Sequence, residues 1–268
     1  MYNDFCFNEL GEEPRLPFPV TNILGFIAFF SDKGRAPSCI TSYLSALSFI
    51  HKLNNLPDPA ESQIVQKSLQ GIRKQHPVSN DRMPITRHLL HKMCEYAPVA
   101  LGNVYDNTMF KALALLAFHG FFRLGELAGK RSASTPVQLA GVEFYTEGLR
   151  LVVETSKTSS VPQVVFVKRI TTQWCPVQAT AQFLEKRGTK PGQLFACPDG
   201  VPLSHSRLVN MLNKVLTVCG LDTAKYKGHS FRIGAASEAA KDGHSDAQIR
   251  LMGRWKSDAF RKYIRLAY

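Results

Sequence analysis

The sequence predicts a mainly α protein with a small antiparallel sheet (α+β), divided into two domains. Three observations point there. Apolar residues recur at helical spacing along most of the chain, whereas a single stretch carries paired β-branched runs. The charge is uneven: residues 1–80 hold seven Lys+Arg and seven Asp+Glu, so residues 81–268 carry the whole net +12. The polar segment His76–Asp81, with Pro77, coincides with that change and marks a boundary between domains 1–80 and 81–268.

The first domain reads as a helical bundle. Val20–Phe30 is strongly apolar and follows Pro14, Pro17 and Pro19. After Pro37, Ser38 is placed to cap a helix whose Ile40, Tyr43, Leu44, Leu47 and Ile50 form one stripe. Leu56–Pro59 breaks the chain, and Glu61–Lys74 resumes a helix with Ile64, Leu69 and Ile72 inward. In the second domain Thr86 caps a helix through Ala97, and Asn107–Phe118 forms a longer apolar one. Leu149–Glu154 and Gln163–Val167 flank Thr155–Pro162 as a hairpin. Helices return at Pro176–Arg187, Arg207–Cys219 (capped by Ser206), Phe231–Lys241, Asp246–Met252 and Ser257–Leu266.

Bulk properties narrow the function. The longest apolar run, Ile23–Phe30, is too short to span a bilayer, and Met1–Leu16 has no basic start followed by an apolar stretch. Neither a membrane segment nor a secretion signal is therefore expected. Six scattered cysteines, with no CxxC pair, read as free thiols in a reducing compartment. A basic second domain suits a polyanionic partner, since each neutralised phosphate releases condensed counterions.

Several residues could act on such a partner. His229 and Arg232, at i, i+3, share one face of a helix start where backbone N–H groups favour an anion. Arg123 directly follows the apolar run Ala112–Phe122 and is therefore either paired or presented from the core. Glu126, one turn on, could hold its guanidinium. Lys157 sits at the tip of the hairpin, from which an ammonium can reach a leaving alkoxide. Trp255 carries an indole N–H able to donate to a phosphate oxygen. Tyr263 lies among Arg261, Lys262 and Arg265.

In this order, Arg123, Lys157 on a hairpin, Gly228-His229-Ser230-Phe231-Arg232, Gly253-Arg254-Trp255 and Tyr263, the series resembles the tyrosine recombinase (phage integrase) family. The wording of the last motifs is most similar to recombinases of eukaryotic mobile elements, the DIRS-like and Crypton-like groups. The resemblance implies a helical core-binding (SAM-like) DNA-binding domain followed by the catalytic domain. It implies that Tyr263 attacks a DNA phosphate to give a 3′-phosphotyrosyl intermediate. Arg123 and Arg232 would hold the non-bridging oxygens, Lys157 would protonate the leaving 5′-oxygen, and His229 would assist proton movement. Trp255 or Arg254 would add a phosphate contact. No cofactor and no metal is implied.

The implied partner is double-stranded DNA, bound as a homodimer or homotetramer, and the implied location is the nucleus. The family commonly has His or Trp directly after the glycine that matches Gly253. Here Arg254 stands in that place and Trp255 follows it. Tyr268 is a second candidate nucleophile. Alternative readings are a non-catalytic DNA-binding protein that keeps the fold, or a type IB topoisomerase-like DNA relaxer. The complete set of candidate residues argues against the first, and the separate N-terminal bundle against the second.

Overall fold

The computed structural model describes residues 1–76, 82–129, 135–154 and 161–265. The chain divides into two compact units, Met1–Asn80 and Asp81–Tyr268.

In the first unit a short helix α1 (Tyr2–Phe5) leads to α2 (Val20–Asp32), α3 (Pro37–Leu53) and α4 (Gln63–Gln75). Their inner faces meet in an aromatic core of Tyr2, Phe5, Phe18, Phe26 and Phe30. In each of the two predicted stripes one residue is displaced by one position, while Ile40, Leu44, Leu47, Leu69 and Ile72 are buried as expected. In α3, Ile50 is exposed and the neighbouring His51 is buried instead. The backbone N–H of Phe18 donates to His51 Nε2 at 3.0 Å, which leaves Nδ1 to donate to the Leu47 carbonyl at 2.8 Å. With both ring nitrogens bonded, a polar ring fills a core position that a hydrophobicity pattern gives to isoleucine. In α4, Val65 is buried and Ile64 exposed. Val65 completes the stripe of Leu69 and Ile72 at the i, i+4, i+7 spacing; the helix begins at Gln63, after a separate 3₁₀ turn Pro59–Glu61 capped by Asp58. The α3 cap is Ala36 rather than Ser38, because Pro37 itself occupies the first helical turn.

The second unit is built around α6 (Val104–His119), which is buried on almost every side from Met109 to Phe118. Helix α5 (Arg87–Leu101), capped by the Thr86 hydroxyl, packs beside it. A four-residue helix α7 (Leu124–Leu127) follows, then strands β1 (Val142–Phe144), β2 (Gly148–Val153) and β3 (Gln163–Lys168). They form an antiparallel sheet in the order β1-β2-β3, with Gly148 opposite Lys168 and Val153 opposite Gln163. Strand β1 was not expected; its three residues, Glu143 among them, are too few to show a two-residue period. The predicted tip of the hairpin, including Lys157, lies outside the described residues.

Helices α8 (Pro176–Arg187), α9 (His205–Val218), α10 (Gly228–Lys241) and α11 (Asp246–Met252) complete the unit. Helix α9 is capped by Ser204 rather than Ser206 and starts two residues early. Helix α10 starts at Gly228, three residues before the predicted Phe231, which puts His229 inside its first turn. It can lie tightly on the segment leading into α5 because position 234 is glycine. A Cβ there would collide with the Ile85 backbone, whose N–H donates to the Ser230 carbonyl at 3.0 Å.

The last predicted α-helix, Ser257–Leu266, is instead a 3₁₀ helix, Asp258–Tyr263, capped by Ser257. Its period of three residues places Phe260 and Tyr263 on one side. Both rings pack on Trp255, with centroids 6.1 and 5.3 Å away. A single fully buried anchor, Phe260, does not supply the broad apolar stripe that would hold a longer α-helix. All six cysteines are free thiols. Among the described residues, no helix is long and apolar enough to cross a membrane.

Candidate functional site

Four of the candidate residues come from two short stretches of backbone. The chain leaves α6 through Gly120 and Phe121, and Phe121 takes a left-handed conformation (φ 51°). This sharp turn delivers Arg123 to the position preceding α7 and aims the Phe121 carbonyl at the core. The second stretch follows α11, where Arg254 is also left-handed (φ 55°). Non-glycine residues in that region are strained and persist only where their surroundings fix them.

Glu126 ties the two stretches together through Arg123 and Arg254. It is 1% exposed, and its carboxylate is shared three ways. Arg123 Nη1 donates to one oxygen at 2.8 Å, while the Arg123 backbone N–H and Arg254 Nη2 reach the other at 3.0 and 2.6 Å. The expected Arg123–Glu126 pair is thus half of a larger cluster, with Arg254 as its unforeseen second cation. Arg254 turns inward, its guanidinium 5.0 Å from the centre of the Phe122 ring. Burial lowers its pKa, and the adjacent Glu126 carboxylate opposes that shift.

Arg232 lies beside this cluster and is also 1% exposed. One guanidinium nitrogen donates to the Phe121 carbonyl and the other to the Gly253 carbonyl at 2.7 Å. Its Nε has no hydrogen-bond partner among the described residues. The guanidinium lies 4.4 Å from the centre of the Trp255 ring, close enough for a cation–π contact. Burial, then the neighbouring charge of Arg123, pulls the Arg232 pKa down to about 9, so it remains cationic at neutral pH. Three guanidinium groups around one carboxylate leave the site with excess positive charge, and an anion placed there would relieve it.

Tyr263 closes the group. Its hydroxyl is 3.4 Å from His229 Nδ1, and its ring packs on Trp255. Arg123, Glu126, His229, Arg232, Arg254, Trp255 and Tyr263 therefore converge, although up to 140 residues separate them in sequence. Lys157 lies outside the described residues. Sequence reasoning did not single out Ser237, a buried hydroxyl on α10 bonded to the Tyr263 segment, nor the Phe121 and Gly253 carbonyls that hold Arg232. Backbone carbonyls carry no sequence signal at all.

No family model matches the chain. It is 23% identical to an integrase/recombinase xerD homolog from Selenomonas ruminantium, covering 96% of this chain and 75% of that protein. It is 21% identical to the recombinase cre of Escherichia phage P1, covering 96% and 79%. In structure it is similar to the Tn1549 transposon integrase in complex with transposon right end DNA (TM-score 0.69, 14% identity, 97% of this chain and 85% of that one). A lambda integrase dimer bound to a core site is also similar (TM-score 0.64, 18% identity, 95% and 82%). Fold and site together define the class, an integrase-type fold of helices around a small sheet. Over nearly its whole length the chain is similar to these recombinases and integrases, and it shares their fold.

Proposed function

We propose that this chain cuts and rejoins double-stranded DNA through Tyr263, as a site-specific recombinase of a mobile element. The observation that carries the reading is the convergence on one side of α10. A phenol 3.4 Å from His229 stands beside buried guanidinium groups that carry more charge than Glu126 balances. The phenol oxygen attacks the scissile phosphorus, the bond to the 5′-oxygen breaks, and a 3′-phosphotyrosyl ester forms. The ester retains the energy of the phosphodiester, so a second 5′-hydroxyl can reverse or redirect the join without ATP.

In this reading His229 accepts the phenol proton. Arg123 and Arg232 stabilise the charge on the non-bridging oxygens; fixed, always-ionised forks suit that task. Trp255 supports Arg232 through its ring face and borders the phosphate. Lys157 supplies the proton to the leaving 5′-oxygen. Residues 1–80 form a core-binding DNA-binding domain, residues 81–268 form the catalytic domain, and the chain acts as a dimer or tetramer, since each protomer cuts one strand. The DIRS-like and Crypton-like affinity, and with it a nuclear site of action, rests on the wording of the Gly228–Ala236 and Gly253–Ala259 motifs.

The test is covalent capture. The protein is incubated with nicked suicide duplexes tiled across the DNA flanking its coding sequence, and a protein–DNA adduct stable to denaturant is sought. An adduct is expected with the wild type and not with Tyr263→Phe. Its absence across the whole tiling would overturn the reading.

A further inference from the structure

We propose that Ser237 is a positioning residue for the attacking tyrosine, clamping the backbone directly after Tyr263 from the helix that carries His229 and Arg232. The inference rests on Tyr263 being the nucleophile. Ser237 is buried, five residues beyond Arg232 on α10. Its Oγ accepts the Arg265 N–H at 2.8 Å and lies 2.8 Å from the Ile233 carbonyl and 3.3 Å from the Tyr263 carbonyl.

A hydroxyl has one proton and two acceptor lone pairs. The Arg265 N–H is accepted in either rotamer, while the proton goes to Ile233 or to Tyr263. Because Ile233 lies inside a helix, its carbonyl already has an amide partner one turn on. Turning the proton to Tyr263 therefore strands no buried acceptor.

Several helical hydroxyls in the chain behave differently. Ser42, Ser45 and Thr180 each bond only the carbonyl four residues back, a local habit of Ser and Thr that needs no function. Ser237 adds two contacts to a segment 26 and 28 residues away.

That segment requires them. The 3₁₀ helix ends at Tyr263, Ile264 is extended (φ −77°, ψ 123°), and the Arg265 N–H has left the helical ladder. Without Ser237 it would be an orphan donor. The same helix meets the segment again where His229 approaches the phenol. His229 and Ser237 are about 12 Å apart along the helix axis at 1.5 Å per residue. Backbone and ring tip are thus both referenced to α10, which also carries Arg232. Loss of the backbone clamp would let the phenol drift from His229 while leaving the DNA-binding surface intact.

The segment carries its own reporter, because trypsin cuts after Arg261, Lys262 and Arg265. In full-length Ser237→Ala, trypsin should cut at Lys262–Tyr263 several-fold faster than in the wild type, at urea concentrations well below unfolding. Covalent capture on the suicide duplexes should slow by about tenfold, the equivalent of about 1.4 kcal/mol, with DNA affinity unchanged in a gel shift.

Arg265→Pro deletes the same N–H from outside the core, and Ile264 already has the extended backbone that precedes proline. It should reproduce both effects. Arg265→Ala, which keeps the N–H but loses the guanidinium bonds to the Lys262 and Ile264 carbonyls, should show clearly less of either. If Ser237→Ala does not fold, the contrast between the two Arg265 variants decides. Wild-type rates of both proteolysis and capture in Ser237→Ala and Arg265→Pro would overturn the proposal. Should the wild type give no adduct on any duplex, the nucleophile reading fails, and the trypsin arm still judges the clamp.

Discussion

Removing the Glu126 carboxylate tests the charge cluster where the geometry is most demanding. The Glu126 and Arg254 side chains are 1% and 8% exposed, and Arg123 is 22% exposed. Replacing Glu126 with alanine strands Arg254 as an uncompensated buried cation, a change that typically costs about 3–5 kcal/mol. The Arg123 share is smaller, because its outer face can find water. We expect roughly 4 kcal/mol for Glu126→Ala. For Glu126→Gln, which keeps the shape and one acceptor but loses the charge assistance, about 2 kcal/mol is expected. In an Arg254→Met background the cost of Glu126→Ala should fall by roughly 2 kcal/mol, since the stranded cation is gone.

Urea unfolding followed by tryptophan fluorescence measures this cleanly. Both tryptophans, Trp174 and Trp255, lie in the second unit, so the signal reports that unit alone. A loss below about 1 kcal/mol for Glu126→Ala, or equal losses in the two backgrounds, would show that Glu126 does not hold the cluster together.

Other consequences follow from single contacts. Gly234→Ala drives a methyl group into the Ile85 backbone and should destabilise the second unit by roughly 2–3 kcal/mol in the same assay. Burial lowers His119 from 6.5 to about 4, so the unfolded chain binds the extra proton between those values. Stability is then fully present above pH 6.5 and falls as the pH drops toward 4, by roughly 3 kcal/mol in all; urea midpoints at pH 7 and 4.5 should differ accordingly, and less so in His119→Phe. Lys157→Ala should slow cleavage of ordinary DNA by about a hundredfold or more while sparing a 5′-thiolate leaving group, which needs no acid; equal slowing of both substrates would remove Lys157 from that role.

Much of the fold was legible because the helices of the second unit carry strong apolar stripes and ordinary caps. Thr86 and the Asp246–Met252 helix are instances, and the β2–β3 pairing follows from two β-branched runs close together in sequence. The errors have one physical origin. His51 in place of Ile50, Val65 in place of Ile64 and the 3₁₀ ending at Tyr263 each depend on what the residue packs against in the folded chain. The site divides in the same way. Arg123, His229, Arg232, Trp255 and Tyr263 could be singled out from residue type and order. Arg254 turning inward to Glu126, the carbonyls that hold Arg232, and Ser237 beneath the tyrosine segment could not, because each is defined by what it meets 20 or more residues away.

The central claim is that Tyr263 becomes covalently joined to DNA, and peptide mapping of the captured adduct tests it most directly. Trypsin cuts between Arg265 and Leu266, so Tyr263-Ile264-Arg265 is released separately from the peptide that holds Tyr268, and the two candidate nucleophiles are resolved by sequence alone. After nuclease trimming, the nucleotide mass should appear on Tyr263-Ile264-Arg265 and should be absent when Tyr263→Phe is used. Nucleotide mass on the peptide that holds Tyr268, or on any other peptide, would contradict the account.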